Sequence, residues 1–287
     1  MDYFLDMESE YADYNRAKYV IFPVPYDGTS TFVKGSDKAP QAIIDASDSI
    51  ELYDIEFDEK PYLKGIHTAK FVTENTSSES MVQAVYGEVK NCFNAKKIPI
   101  IIGGEHSVSI GAIQAANECH ANISVLQIDA HADLRPVYND SKYNHACVMR
   151  RAQEICAAGV VQVGIRNVCE EEKEFIVPEN IFYAHRILRD KTEQWMPEAL
   201  SRLTDKVYLT IDVDGFDPSV FPATGTPLPG GLLWTQTLDF LEQLFQQKTV
   251  VGFDIVELCP NPYDKSSDVA AAVLLYKILC LFEKHQK

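Results

Sequence analysis

Three short clusters in this chain combine the residue types that hold cations. Gly103-Gly104-Glu105-His106-Ser107, Asp129-Ala130-His131-Ala132-Asp133 and Asp212-Val213-Asp214 each follow an apolar, β-branched run, and Glu257 follows a fourth. In an extended segment residues two apart point the same way, so Asp129, His131 and Asp133 can converge, and so can Asp212 and Asp214. Four carboxylates facing one another repel strongly; they stay ionised together only with cations between them. Oxygen and imidazole donors without thiolate favour Mn-like, Fe-like or Zn-like ions over a structural cysteine-type zinc site. His106, Asp129, His131, Asp133, Asp212 and Asp214 are too many ligands for one ion that keeps an open position. They suit two ions bridged by carboxylates. Two divalent cations and four aspartates sum to zero, and a bridging hydroxide makes the cluster mildly negative. That setting favours attack on a cationic substrate by a metal-bound nucleophile. A lone Asp-x-Asp at a strand end is ordinarily a cap or turn. Three ionisable groups ending one apolar strand, beside two further clusters, are not explained that way.

The elements that must position these residues alternate along the chain. Strands are expected at Tyr19–Val24, Ile98–Ile102, Ile123–Ile128, Val160–Ile165, Asn180–Tyr183, Val207–Ile211 and Val250–Ile255. Several are apolar on both faces, as covered strands are. Helical spacing marks Ser80–Ala95 (Met81, Val85, Val89, Cys92) and Thr235–Gln246 (Leu238, Leu241, Leu244). Asp268 is placed to N-cap a last helix reaching about Glu283. This alternation predicts one α/β domain over 1–287, a mostly parallel sheet with helices on both faces. Ligands of such sheets gather beyond the carboxyl ends of the strands, where all four chemical segments fall. Two long loops, Pro23 to Pro40 and Phe216 to Gly231, are rich in Gly and Pro; loops of that length in a compact domain are usually functional.

Lys plus Arg number 26 against 42 Asp plus Glu, a formal net charge of −16. Such a surface repels phosphate backbones, so nucleic acid is a poor partner, and it attracts a small cation. No apolar run reaches the length of a membrane span; Val269 to Tyr276 is stopped by Lys277. The opening MDYFLDMESEYADY is acidic and lacks the apolar core of a secretory leader. Seven cysteines without a C-x-x-C pair argue against a disulfide framework, and a reducing cytoplasm is expected. Cys147 has no evident base partner, and Gly103-Gly104 lacks the lysine of a phosphate loop.

On GGEHS at Gly103–Ser107, DAHAD at Asp129–Asp133 and TIDVDGFDP at Thr210–Pro218, the chain resembles the ureohydrolases, the group of arginase, agmatinase and formimidoylglutamase. The resemblance spans nearly the whole chain. Glu105, ATGTPLPGG at Ala223–Gly231 and IDAHADLR at Ile128–Arg135 make it most similar to agmatinase. It implies a three-layer α/β/α sandwich with about eight parallel strands, the eighth near Ile66–Val72, and two Mn²⁺ ions. His106 and Asp133 would serve one ion, His131 and Asp214 the other, with Asp129 and Asp212 bridging. His145 would be the proton-handling histidine beside the substrate. The residues after it, Ala146-Cys147, depart from the family's His-Gly-Thr. Family members form trimers or hexamers, so a homotrimer or homohexamer is expected.

Glu257 can accept hydrogen bonds from a guanidinium, whose planar fork matches a carboxylate. Thr226 can contact the guanidinium or the leaving amine. The implied reaction is attack of a metal-bridging hydroxide on the guanidinium carbon, with Asp133 holding its proton and passing it to the departing amine while His145 shuttles. Agmatine, giving urea and putrescine, is the favoured substrate, with guanidinobutyrate or another ω-guanidino compound behind it. Arginases place Asn two positions after the last Asp of their DxHxD motif; this chain has Arg135, which can pair with a substrate carboxylate or with the chain's own acids. Two rivals are a metal-dependent deacetylase, disfavoured by the doubled Asp clusters, and a non-catalytic relative, which would need a missing ligand.

Overall fold

Strands that are apolar on both faces must be covered on both faces, and the computed structural model shows how. It describes residues 3–7 and 9–286; Met1, Asp2 and Glu8 of the acidic opening segment, and Lys287, lie outside the described residues. Eight strands, β1 Tyr19–Val24, β2 Ile66–Thr68, β3 Ile98–Gly103, β4 Ile123–Ile128, β5 Val160–Ile165, β6 Ile181–Tyr183, β7 Lys206–Asp212 and β8 Thr249–Val256, form one sheet. Every pairing is parallel, and the order is β2-β1-β3-β8-β7-β4-β5-β6. The expected eighth strand is β2, a short edge on β1.

Alternation along each strand divides the core in two. Ile100, Ile102, Leu126, Ile128, Leu209 and Ile211 pack on one face against Ala39–Ser47, Trp195–Ser201, Trp234–Gln247 and Ser266–His285. Ile101, Val125 and Tyr208 pack on the other against Ser78–Asn94, Ser109–Cys119 and Val148–Ile155. The helix expected at Ser80–Ala95 begins at Ser78, because Ser77 caps it and forms a reciprocal pair with Ser80. Asp268 does not cap the last helix. Ser266 opens that helix, and Asp268 lies in its first turn, where it meets Lys265 at 2.9 Å and still complements the helix dipole. Among the described residues no helix is long and apolar enough to cross a membrane.

The central strands are in tight register. Ile102, Ile255, Ile211 and Ile128 stand side by side across β3, β8, β7 and β4. The residues just beyond that row therefore emerge together at the middle of the sheet. Close approach there depends on Gly215: a Cβ on it would sit 2.7 Å from Asp129 N. Gly87, in Ser78–Asn94, has nothing within 4 Å of such an atom. Gly215→Ala should therefore lower the stability, read as the melting temperature, by about 1–3 kcal/mol of overpacking. Gly87→Ala should raise it, by about 0.5–1 kcal/mol. Thermal denaturation of both variants checks the pair, and a neutral Gly215→Ala would refute the close approach.

Candidate metal centre and active site

His106 lies in a short turn after β3, Asp129, His131 and Asp133 follow β4, Asp212 ends β7 and Asp214 sits in the turn Val213–Gly215. The four strands involved, with β8 supplying Glu257, are consecutive in the sheet. Simple extension does not produce the convergence. β4 ends at Ile128, and Asp133 turns back through a left-handed backbone, φ 52°. Asp214 comes round because Asp212 Oδ1 accepts its backbone N–H at 2.8 Å. Glu257 is also left-handed, φ 64°. Strained backbone of this kind persists where surrounding structure over-determines it.

The donor atoms meet. His106 Nδ1 is 3.1 Å from Asp129 Oδ2, 3.0 Å from Asp133 Oδ2 and 3.6 Å from Asp212 Oδ2. His131 Nδ1 is 3.1 Å from Asp214 Oδ2 and 3.6 Å from Asp129 Oδ1. Two groups result, His106/Asp129/Asp212 and Asp129/His131/Asp214, each with ligand atoms within 4.8 Å of one another. They share Asp129, as a bridging carboxylate requires. His106 Nδ1 is buried and makes no hydrogen bond. Asp129 and Asp133 raise this imidazole well above its usual value against its burial, so the nitrogen aimed at the cluster holds a proton that a divalent cation can displace, and the donor set fits divalent cations.

The charges show why. Burial, and then the charge of Asp129, push Asp133 up to about 7. Burial, Asp214 and Asp129 raise Asp212 as well. Burial would lower His131, but Asp214 and Asp129 hold it up at about 12. By themselves these groups keep protons between them; cations can take over that role, and ligation then releases the protons.

A layer of buried polar groups aims the candidate ligands. His106 Nε2 donates to Thr210 Oγ1 at 2.8 Å, Thr210 donates to Asp254 Oδ1 at 2.6 Å, and Tyr208 donates to Asp254 Oδ2 at 2.9 Å. That chain fixes the His106 tautomer and leaves Nδ1 for coordination. Gln162 Nε2 donates to Gln127 Oε1, and Gln127 Nε2 donates to Asp129 Oδ2, both at 2.6 Å. Arg166 donates to the carbonyls of Gly164, Asp214, Gly215, Phe216 and Leu228, tying the Asp214 turn to the Pro-rich loop. None of these was singled out from the sequence. A signal was there: Gln127, Gln162, Thr210 and Asp254 are polar residues inside apolar strands, which need buried partners.

A cavity opens over the cluster, lined by His131, Asp133, His145, Asp212, Asp214, Thr226 and Glu257 among others. Both Gly- and Pro-rich loops reach it, through Ser30–Val33 and Gly225–Thr226. Thr226 Oγ1 donates to Asp214 Oδ2 at 3.0 Å, so its hydroxyl is anchored to the cluster. Glu257 Oε1 accepts the His106 backbone N–H at 2.7 Å. Glu105 is a buried hub: its carboxylate accepts Thr29 N at 2.6 Å and Thr29 Oγ1 at 2.7 Å. Since that hydroxyl proton goes to Glu105, Thr29 Oγ1 accepts from His145, from its backbone N–H at 3.0 Å and its Nδ1 at 3.2 Å. His145 Nε2 is then the ring's proton acceptor. Burial, and the charges of His106 and His131, push His145 down to about 4, so it is neutral at pH 7. Cys147 is buried and pushed up to about 12, mainly by burial, so it is no nucleophile. Arg135 pairs with Glu171 at 2.6 Å and lies 4.3 Å from the Tyr138 ring centroid, which settles its partner as one of the chain's own acids.

The arginase family model matches residues 17–280. This chain belongs to the arginase family. An N(1)-aminopropylagmatine ureohydrolase of Synechocystis sp. is 36% identical over 296 residues, covering 99% of this chain and 95% of the relative. An agmatinase of Pyrococcus horikoshii is 34% identical over 276 residues, covering 96% and 95%. The crystal structure of agmatine ureohydrolase of Thermoplasma volcanium covers 100% of this chain and 96% of its own, with TM-score 0.88 and 32% identity. The eight-stranded parallel sheet of this arginase-family chain is the fold of that structure.

Two tests follow for the metal centre. Asp129→Ala and Asp212→Ala should each lose metal, measured by elemental analysis of the purified protein; two ions retained in either variant would remove that residue from the bridge. Thr210→Val keeps the shape but takes the acceptor from His106 Nε2, and should weaken metal binding roughly 10–100-fold in a chelator competition.

Proposed function

We propose that this chain hydrolyses an amine-tailed guanidino compound, agmatine or agmatine with an aminopropyl extension, to urea and the corresponding primary amine. With agmatine the amine is putrescine. The observation that carries the reading is one cavity with the candidate metal-ligand cluster and the Glu257 carboxylate in its lining, in a chain whose net charge of −16 suits a cation. The curated relatives named above act on such compounds by their names.

His106 and Asp133 would hold one ion, His131 and Asp214 the other, and Asp129 and Asp212 would bridge. Manganese fits this set of carboxylates and imidazoles without thiolate. When bound, the ions supply a hydroxide nucleophile near neutral pH and offset the repulsion of the carboxylates. Glu257 is steadied through Oε1 by His106, so its remaining lone pairs face the guanidinium and hold the carbon in line. Asp133 would hold the nucleophile's proton at Oδ and return it to the departing nitrogen. His145 accepts at Nε2, because Thr29 and Glu105 keep its other nitrogen occupied, and so can relay that proton toward solvent. The doubled aspartates again disfavour a deacetylase, and no ligand of the set is missing, which disfavours a non-catalytic relative.

Urea release from a panel of guanidino compounds, with Mn²⁺ present, tests the reading; no urea from any of them would refute it. Glu257→Gln should keep its bond to His106, keep metal, and lower kcat/KM at least about tenfold, since charge-assisted bonds contribute roughly 1.5–3 kcal/mol. His145→Asn should keep metal and lower mainly kcat, by roughly 10²–10⁴-fold. Loss of metal in either variant would make that residue part of the cluster instead.

A further inference from the structure

The lining of the cavity contains a single Lys or Arg among the described residues, Arg135. Its guanidinium is already engaged. Nη1 donates to Glu171 Oε1 at 2.6 Å, and the guanidinium carbon is 4.3 Å from the centre of the Tyr138 ring. Tyr138 in turn meets His145 edge-on, with centroids 6.1 Å apart. The pairing is built in from both sides. Glu171 belongs to the short turn Glu170–Phe175, and its neighbour Glu172 is buried with both oxygens used. Glu172 Oε1 accepts from Leu134 N at 2.8 Å and Oε2 from Cys169 N at 2.7 Å. That clamp holds the acidic turn against the backbone immediately before Arg135, so Glu171 is presented to Arg135.

This pairing bears on the far end of the substrate. The head group of every guanidino compound is the same; the tail differs. A tail ending in carboxylate needs a cation outside the metal-ligand cluster, and among the described residues Arg135 is the only Lys or Arg in the lining. To reach it the tail must displace a carboxylate that is tethered, and therefore present at high effective concentration. It must also approach Glu171 and the cavity-lining Glu172, whose like charges oppose it. A tail ending in ammonium meets no such barrier. We propose that Glu171, by occupying Arg135, is the specificity-determining residue that makes this cavity refuse carboxylate-tailed guanidino compounds and admit amine-tailed ones. This deepens the reading of the same site given above and rests on it. Glu171 acts through Arg135 and touches neither the reacting atoms nor the metal ligands.

The test compares agmatine with 4-guanidinobutyrate in the Mn²⁺-loaded protein. Glu171→Gln keeps the size of the side chain and frees the charge of Arg135. The ratio of kcat/KM for 4-guanidinobutyrate over agmatine should rise about tenfold or more, the scale of one charge-assisted hydrogen bond. The change should lie in KM, because the reacting head is unaltered; a merely structural role would lower kcat for both compounds together. Adding Arg135→Gln to Glu171→Gln should abolish the gain. An unmoved ratio in Glu171→Gln, or a gain that survives the second substitution, overturns the proposal. Calorimetric binding of 4-guanidinobutyrate to the same variants measures the effect independently of turnover. If the wild-type protein releases urea from neither compound, the functional reading falls, while tighter binding in Glu171→Gln alone still supports the role of Glu171 and unchanged binding refutes it.

Discussion

Mutual repulsion of aspartates crowded beyond two neighbouring strands, β4 and β7, is the constraint on which the rest of this structure depends. Asp129, Asp133, Asp212 and Asp214 are buried within a few ångströms of the same imidazoles. Burial and proximity disfavour the charged forms of Asp133 and Asp212, which are pushed up, while His106 and His131 hold Asp129 down against its burial. A fold that keeps such a cluster must hold each carboxylate where its neighbours cannot push it aside. The parallel sheet does this because its central strands share a register. Their carboxyl ends also lie where chain connections depart in opposite directions, leaving a crevice for ligands.

The holding is done by hydrogen bonds that run behind the candidate ligands. His106 is backed by Thr210, Asp254 and Tyr208, Asp129 by Gln127 and Gln162, and Asp214 by Thr226 and the backbone of Ala130. Each of these side chains would be costly in an apolar core by itself. Satisfied in a chain, they restrict the ligands to one orientation. Arg166 performs the same service for backbone, gathering five carbonyls from three segments beside the acidic centre.

Glu105 extends this order to the cavity wall. By accepting from Thr29 it docks the loop that follows β1, and through Thr29 it sets which nitrogen of His145 carries the proton. One buried carboxylate beside His106 thus links the acidic cluster on the floor of the cavity to His145 above it. The acidic turn Glu170–Phe175 performs a comparable task at the mouth, where Glu172 fastens the turn and Glu171 engages Arg135. In both places one acidic residue anchors backbone while its neighbour engages another side chain.

Much of this was legible in the residues themselves. Apolar runs ending in Gly-Gly-Glu-His, Asp-x-His-x-Asp, Asp-x-Asp and Glu marked both the strands and the ligand candidates, because burial pattern and charge are properties of short segments. Seven strands were readable by that rule. β2, only three residues long on the sheet edge, was placed by resemblance, since so short a run carries little periodic signal. The left-handed turn at Asp133 was not legible, because the periodicity of an extended chain predicts the same convergence by a different path. Nor was the partner of Arg135, which the sequence left open between a substrate carboxylate and an internal acid. Glu171 is remote in sequence, and Glu172 brings it close by clamping two backbone segments. Local sequence determined which groups carry charge and which face of an element they share. Only the tertiary structure decided which charges meet, because pairing depends on the register and turns that join distant strands.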